Sequence, residues 1–336
     1  MKPNKEPLIS VVLPTYNVAQ YLQQCLESVA AQTYRNIEVI IIIDGATDGS
    51  YEIAQDFCKT DNRFSVYWQE NAGSGPARNA GLARCKGEFV MFVDPDDWIE
   101  PELLEKLYEA QQEGDYDFVA SRRNIVSTNA NGKIIRVKHQ HFDNEKLIGV
   151  DTVRKNYVRM LTIAAVGSPT QKLYKLSVIR ANNIDFPALR RSQDICFNYR
   201  YYSFIHSLCL TSYSGYNYRV PLESIAAKYN QDYYKTIITL YTDIIKLHDD
   251  WNIVVNKRLL CNYFFKVRIV SYLQQCAKMG WSIKQFMNEQ VIRDIVKSSS
   301  PNVLRLKTLR FLLINGMYGL SHIVLILMLR YRKIHI

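Results

Sequence analysis

The sequence predicts an α/β protein, a mostly parallel sheet with helices on both faces, followed by a helical C-terminal region. Three observations predict it. Through the first 125 residues, short apolar runs alternate with helically spaced apolar residues, the order that builds parallel strands joined by crossover helices. Two of those runs, EVIIIID (38–44) and EFVMFVD (88–94), are almost continuously apolar, as strands covered on both faces are. From about residue 230 onward the pattern is helical only.

Taken in order, LISVVLP (8–14) is the first strand and AQYLQQCLESVAAQT (19–33) the helix after it. EVIIIID is the second strand, and Ser50 stands where it would cap the helix YEIAQDFCK (51–59). FSVYWQ (64–69) is a third strand, GPARNAGLARCK (75–86) a helix of small residues, and EFVMFVD the fourth strand. PELLEKLYEAQQ (101–112) is a helix with Pro101 in its first turn, and DFVASRR (117–123) a fifth strand. Past residue 125 the rhythm changes. NGKIIRVKH (131–139) reads as a strand or hairpin arm, DTVRKNYVRMLT (151–162) and QDICFNYRYYSFIH (193–206) as helices. LCLTS (208–212) and YNYRV (216–220) read as two strands. DYYKTIITLYTDIIKLHDD (232–250) and CNYFFKVRIVSYLQQCAKM (261–279) are helices, and SSSPN (298–302) is a linker.

Composition narrows the classes. At 336 residues with 48% hydrophobic and 22% charged content, the chain is a folded globular protein rather than a disordered one. The seven cysteines are scattered and never spaced C-x-x-C, which argues for reduced thiols in a cytoplasmic setting without a zinc site. The apolar run before Pro14 is too short for a signal peptide. The net charge of +10 hides a split, because residues 1–125 carry 11 Lys+Arg against 20 Asp+Glu while the rest carry 31 against 12. No motif or aromatic-basic platform for nucleic acid accompanies the basic half.

Ligands of open parallel sheets bind beyond the carboxyl ends of strands. Three polar loops fall there: PTYN (14–17), DGATDGS (44–50) and DPDDW (94–98). Gathering Asp94, Asp96 and Asp97 on one turn costs energy unless a cation offsets the repulsion, and clustered oxygen ligands suit Mg2+ or Mn2+. A plainer reading is that Asp97 and Glu100 only favour the next helix start. ENAGSGPARNAGL (70–82) adds glycines that let backbone approach a ligand, and Arg78 near a helix start suits an anion.

Together these stretches resemble glycosyltransferase family 2, the inverting enzymes of GT-A fold that use nucleotide-diphospho sugars. The resemblance rests on ISVVLPTYN (9–17), EVIIIIDGATDGS (38–50), ENAGSGPARNAGL (70–82), KGEFVMFVDPDDWIEP (86–101), QKLYKLSVI (171–179) and SQDICFNYRYY (192–202). It covers about residues 8–225 and implies a GT-A catalytic domain over 1–225. A helical region over 226–300 and a basic hydrophobic tail over 301–336 then follow.

The resemblance implies roles by position. Pro14, Thr15 and Asp44 would border the uridine of a UDP-sugar, and Arg78 its ribose or phosphates. Asp94 and Asp96 form the Asp-x-Asp element, with Asp96 binding the Mn2+ or Mg2+ that bridges the diphosphate. Asp194 would be the catalytic base, although an aspartate at that helix start would equally serve as an N-cap. Lys172, Gln193 and Arg219 would belong to donor or acceptor loops, with Arg219 and the segment around Ser224 in a flexible acceptor-side loop. Two departures stand out. Ile43 precedes Asp44 where the family commonly has a second polar or acidic residue, and neutral Gln193 replaces an acid beside Asp194, removing a like-charge repulsion. The implied reaction is sugar transfer to a glycan or lipid-linked acceptor in bacterial surface polysaccharide such as lipopolysaccharide or capsule.

The tail FLLINGMYGLSHIVLILML (311–329) approaches the length of a membrane span, but Asn315, Gly319 and His322 draw a polar stripe along it. With Arg310 and Arg330 at its ends it suits a helix lying in an anionic membrane interface, a core helix of the C-terminal bundle or a dimer contact being the alternatives. Two other functions share parts of the pattern. A sugar-phosphate nucleotidyltransferase would carry a basic glycine-rich loop after the first strand, which PTYN lacks. A non-catalytic nucleotide-binding scaffold would account for Ile43 and Gln193.

Overall fold

A computed structural model describes residues 6–129, 131–189, 192–221 and 231–334, with side chains described as far as Leu329. The chain forms two compact units, residues 1–223 and 224–336.

In the first unit β1 (Ile9–Thr15), β2 (Ile37–Asp44), β3 (Phe64–Gln69) and β4 (Phe89–Phe92) alternate with α1 (Ala19–Ala30), α2 (Ser50–Thr60) and α3 (Ser74–Leu82). Then come β5 (Trp98–Ile99), α4 (Leu103–Gln112), β6 (Phe118–Thr128), β7 (Ile134–His139) and β8 (Glu145–Ile148). After these, α5 (Val150–Lys155), α6 (Tyr157–Thr162), β9 (Lys172–Lys175), α7 (Leu176–Ala181), α8 (Gln193–Tyr202) and β10 (Ser207–Pro221) complete the unit. The strands form one sheet in the order β3-β2-β1-β4-β9-β6-β10-β5, with β7 on β6 and β8 on β10.

β1, β2, β3 and β4 are mutually parallel, as are β6 and β10, while β9 runs antiparallel between β4 and β6. Thr15 lies opposite Ile43 and Asp44 opposite Gln69, so the loops after the first four strands leave one edge of the sheet. Alternate residues of the central strands fill the core. Val11, Leu13, Val39, Ile41, Ile43, Met91 and Val93 share one cluster, and Val12, Ile40, Ile42, Val90 and Phe92 are buried as well. Each such side chain contributes roughly 1.5–3 kcal/mol by leaving water. That rigid apolar platform is what holds the polar loops at its edge.

Several expected elements differ in detail. Ser50 does not cap α2: Gly49, at φ 89, holds the cap position and Ser50 is buried as the first helical residue. The helix expected over 151–162 breaks at Asn156 into α5 and α6. The two strands expected at 208–212 and 216–220 are one strand, β10, whose register shifts between Thr211 and Tyr216.

The second unit is helical: α9 (Tyr233–Asp250), α10 (Lys257–Tyr263), a π-helical turn (Phe264–Ile269), α11 (Val270–Met279), α12 (Ile283–Met287), α13 (Gln290–Ser298), α14 (Leu304–Ile314) and α15 (Tyr318–Ile334). The tail at 311–329 is not the single helix expected. Gly316 adopts φ 70, with Met317 N–H donating to Leu312 O at 2.9 Å and Gly316 N–H to Leu313 O at 3.3 Å. This is a Schellman stop, which ends α14 and turns the chain into α15. Arg310 does not bracket a span either; it donates to Val296 O and Lys297 O at the end of α13. Among the described residues no helix is long and apolar enough to cross a membrane.

Candidate active site

Hydrogen bonds between neighbouring loops explain most of the polar residues at the sheet edge. Pro14 and Thr15 are buried at the end of β1, and the Thr15 hydroxyl donates to Leu13 O at 3.3 Å. Asn17, at φ 47, accepts from Thr47 N–H at 2.8 Å, and Asp48 accepts from Ala19 N–H at 2.9 Å and the Ser50 hydroxyl at 2.6 Å. These bonds join the PTYN loop to the DGATDGS loop. Burial pushes the Asp48 carboxyl up, but the Ser50 hydroxyl and the amides of Ala19 and Ser50 outweigh it and hold it below the usual range.

Asp44 is buried and shapes the next loop. Its Oδ1 accepts from Gln69 Nε2 at 2.7 Å and Ala72 N–H at 2.9 Å, and its Oδ2 from Gly73 N–H at 2.8 Å. Ile43 beside it has no exposed surface and belongs to the core. The shaped loop leads into α3, where Arg78 donates from Nη2 to Asp94 Oδ1 at 2.6 Å. The guanidinium also lies 5.4 Å from the Phe186 ring centroid, and its buried Nε has no hydrogen-bond partner. Asp94 keeps 26% side-chain exposure, so the pair faces the loop mouth.

The DPDDW turn is held from below by β10. Asp97 is 1% exposed, and its oxygens accept from the Arg219 backbone N–H at 2.7 Å and the Tyr216 hydroxyl at 2.7 Å. The same Tyr216 oxygen accepts from Asp94 N–H at 3.2 Å. Burial first, then the charges of Asp96 and Asp94, push the Asp97 carboxyl well above its usual range. Asp97 is therefore an anchor, not a helix-start charge. Arg219 donates from Nε to Asp96 O at 2.8 Å and from Nη2 to Gln24 Oε1 at 2.6 Å. Its guanidinium lies 4.7 Å from the Tyr21 ring and 4.6 Å from the Trp98 ring. Arg219 is thus a buried strand residue rather than part of a flexible loop, because aromatic rings and three hydrogen bonds hold it in β10. The segment around Ser224 lies outside the described residues.

Lys172 opens β9 and is fully buried, its Nζ donating to Thr170 O at 3.0 Å, so it too is a core residue and not a loop residue. Burial, reinforced by Arg123, pushes its ammonium well below the ordinary lysine range, while Asp194 opposes the shift. Gln193 is buried at the start of α8, where its Nε2 donates to the hydroxyl of Ser74, the first residue of α3. Ser192, at φ 65, occupies the cap position, which places Asp194 in the first turn rather than at the N-cap. There Asp194 Oδ1 accepts from Ile195 N–H at 3.0 Å, and a carboxylate favours the helix start. Asn198 donates to Asp194 O at 2.9 Å and accepts from the Tyr174 hydroxyl at 2.7 Å. Burial and Tyr201 push Tyr174 up, and both Arg78 and Asp194 lie within electrostatic reach of it.

One helix therefore connects the two acidic positions. α3 holds Asp94 through Arg78 and the residue before Asp194 through Ser74. Among the described residues no three His, Cys, Asp or Glu side chains come together to hold a metal ion. A divalent cation at the DPDDW turn would have one or two carboxylates and would draw its other oxygens from phosphate and water. That donor set suits Mg2+ or Mn2+.

The family model for Glycosyl transferase family 2 matches residues 10–179. The chain is 34% identical over 241 residues to the putative glycosyltransferase EpsH of Bacillus subtilis, covering 70% of this chain and 67% of that protein. It is 35% identical over 214 residues to the glycosyltransferase GlyG of Streptococcus pneumoniae, covering 63% of this chain and 70% of that one. The crystal structure of S. aureus TarS 1-349 in complex with UDP-GlcNAc superposes with a TM-score of 0.64 at 22% identity. That likeness covers 97% of this chain and 91% of TarS 1-349, and it shows a common fold.

Proposed function

Because the chain belongs to glycosyl transferase family 2, we propose that it moves a sugar from a UDP-sugar to an acceptor hydroxyl with inversion at the anomeric carbon. The acceptor is a glycan or a lipid-linked glycan of a bacterial surface polysaccharide, met at the inner face of the cytoplasmic membrane. The observation that carries this reading is the bridge made by α3, which fixes Asp94 and the start of α8 to one short helix. Membership of the family sets aside the nucleotidyltransferase reading. UDP-GlcNAc bound to TarS, a protein of the same fold, supports a UDP-sugar as donor.

In this reading Thr15 and Asp44 border the nucleobase, and Arg78, paired with the partly exposed Asp94, lies toward the ribose or phosphates. Asp96 would hold a divalent cation, Mn2+ or Mg2+, which when bound supplies Lewis-acid stabilisation of the charge on the departing UDP. Asp194 takes the proton of the acceptor hydroxyl as that oxygen bonds to the anomeric carbon and the bond to UDP breaks. General-base assistance of this kind contributes about 10²–10⁴-fold.

Calorimetric titration of UDP into the full chain tests the donor site. Affinity should rise about tenfold or more when Mn2+ is added, and Asp96→Asn should lose that gain. UDP binding indifferent to both would contradict the reading.

A further inference from the structure

We propose that the outward face of α14 and α15 is a docking surface for an anionic lipid membrane. It goes beyond glycosyl transfer and does not depend on the donor or the base.

The two helices are sided. Leu306, Leu309, Leu312 and Leu313 of α14 and Ser321 and Leu325 of α15 are buried within the second unit. On the opposite side Phe311 is 60% exposed, and Leu320, Ile323 and Leu327 are 48%, 54% and 57% exposed. The last three recur at helical spacing along α15, so they form one stripe, and Met317 in the turn before the helix is 40% exposed. Between Tyr318 and Leu329 the sequence of α15 carries no Asp, Glu, Lys or Arg. A helical stretch this poor in charge is normally covered over most of its surface. This one is covered on one side only.

Charge identifies what covers the other. After Asp294 the chain has no acidic residue, while Lys297, Arg305 and Lys307 are exposed in α13 and α14 of the same unit and Arg330, Arg332 and Lys333 follow the stripe in the sequence. A second copy laid face to face would bring like charges together with no acid to offset them. Anionic headgroups supply the opposite charge, and the acyl boundary accepts the leucines and Phe311. The geometry is interfacial. The 17 residues of α15 span only about 26 Å, short of the roughly 30 Å hydrocarbon core, and Ser321 and Leu325 tie its other face to protein.

The test is co-sedimentation of the full chain with phosphatidylcholine vesicles, with and without about 30 mol% phosphatidylglycerol. Binding should require the anionic lipid and weaken in high salt. Leu320→Gln, Ile323→Gln and Leu327→Gln together should lower partitioning about tenfold or more. Lys297→Gln and Lys307→Gln should each lower it about fivefold on anionic vesicles alone. Thermal unfolding and UDP binding should remain as in wild type, because these side chains are exposed and lie outside the site. Equal partitioning of wild type and triple variant would overturn the proposal. So would a wild-type dimer, seen by sedimentation equilibrium, that the triple variant abolishes.

Discussion

The backbone amide of Arg219 donates to the buried carboxylate of Asp97 at 2.7 Å, across 122 positions of sequence. Through this bond the last strand of the first unit holds the acidic turn after β4. The neighbouring Tyr216 hydroxyl serves the same turn twice, donating to Asp97 and accepting from the Asp94 amide. Asp94 and Asp96 are thus displayed by a buried support rather than by a free loop.

Tyr216→Phe should expose how much that support matters. It leaves one Asp97 oxygen and the Asp94 N–H without these partners in a buried setting. A loss of about 1–3 kcal/mol is expected in urea unfolding, with weaker UDP binding. Wild-type stability and affinity together would refute the supporting role.

Gly75→Ala probes the contact between α3 and α8. A Cβ at Gly75 would stand 2.5 Å from Gln193 Oε1 and 3.1 Å from Pro187 O, so Gln193 must leave Ser74. A displacement of this size beside Asp194 is expected to lower kcat by up to about 10²-fold while UDP affinity changes little. Unchanged turnover would mean that the contact does not position Asp194.

Lys172 yields a pH-dependent expectation. Its ammonium is pushed below the ordinary lysine value of 10.5, so the unfolded chain binds more protons than the native one between the lowered value and 10.5. Stability contributed at this position therefore rises with pH across that window. Lys172→Met should stabilise the protein by about 1 kcal/mol or more near pH 7, and by less as pH approaches about 10. Equal destabilisation at both pH values would show that the buried charge supports the fold.

Local patterns carried the parts of this architecture that are local. The continuous apolar runs at 39–43 and 89–92 lie in buried strands, β2 and β4, because a strand covered on both faces needs no polar alternation. The polar loops after them read clearly for the same reason. What pattern could not reveal was long-range partnership. Asp97 looked like one of three aspartates gathered around a cation, or like a helix-start charge, because its partners, Tyr216 and Arg219, lie more than a hundred positions away. The pattern of YNYRV put Arg219 in a strand while the resemblance implied a flexible loop, and neither revealed its two stacking rings, Tyr21 and Trp98, which come from other elements. β5 is only two residues long and carries no period at all. Irregular pairing between Thr211 and Tyr216 made β10 read as two strands.

The tail illustrates a different limit. Gly316 was legible as a small residue inside an apolar run, but its left-handed conformation is a property of the whole turn. With that turn in place, the polar stripe through Asn315, Gly319 and His322 no longer lies on one helix.

The most direct test of the account is single-turnover transfer from a UDP-sugar by wild type and Asp194→Asn. Asparagine keeps the size of the side chain and removes the base. The account predicts a rate about 10²–10⁴-fold lower, with UDP binding and thermal stability retained. Transfer at the wild-type rate by Asp194→Asn would contradict it.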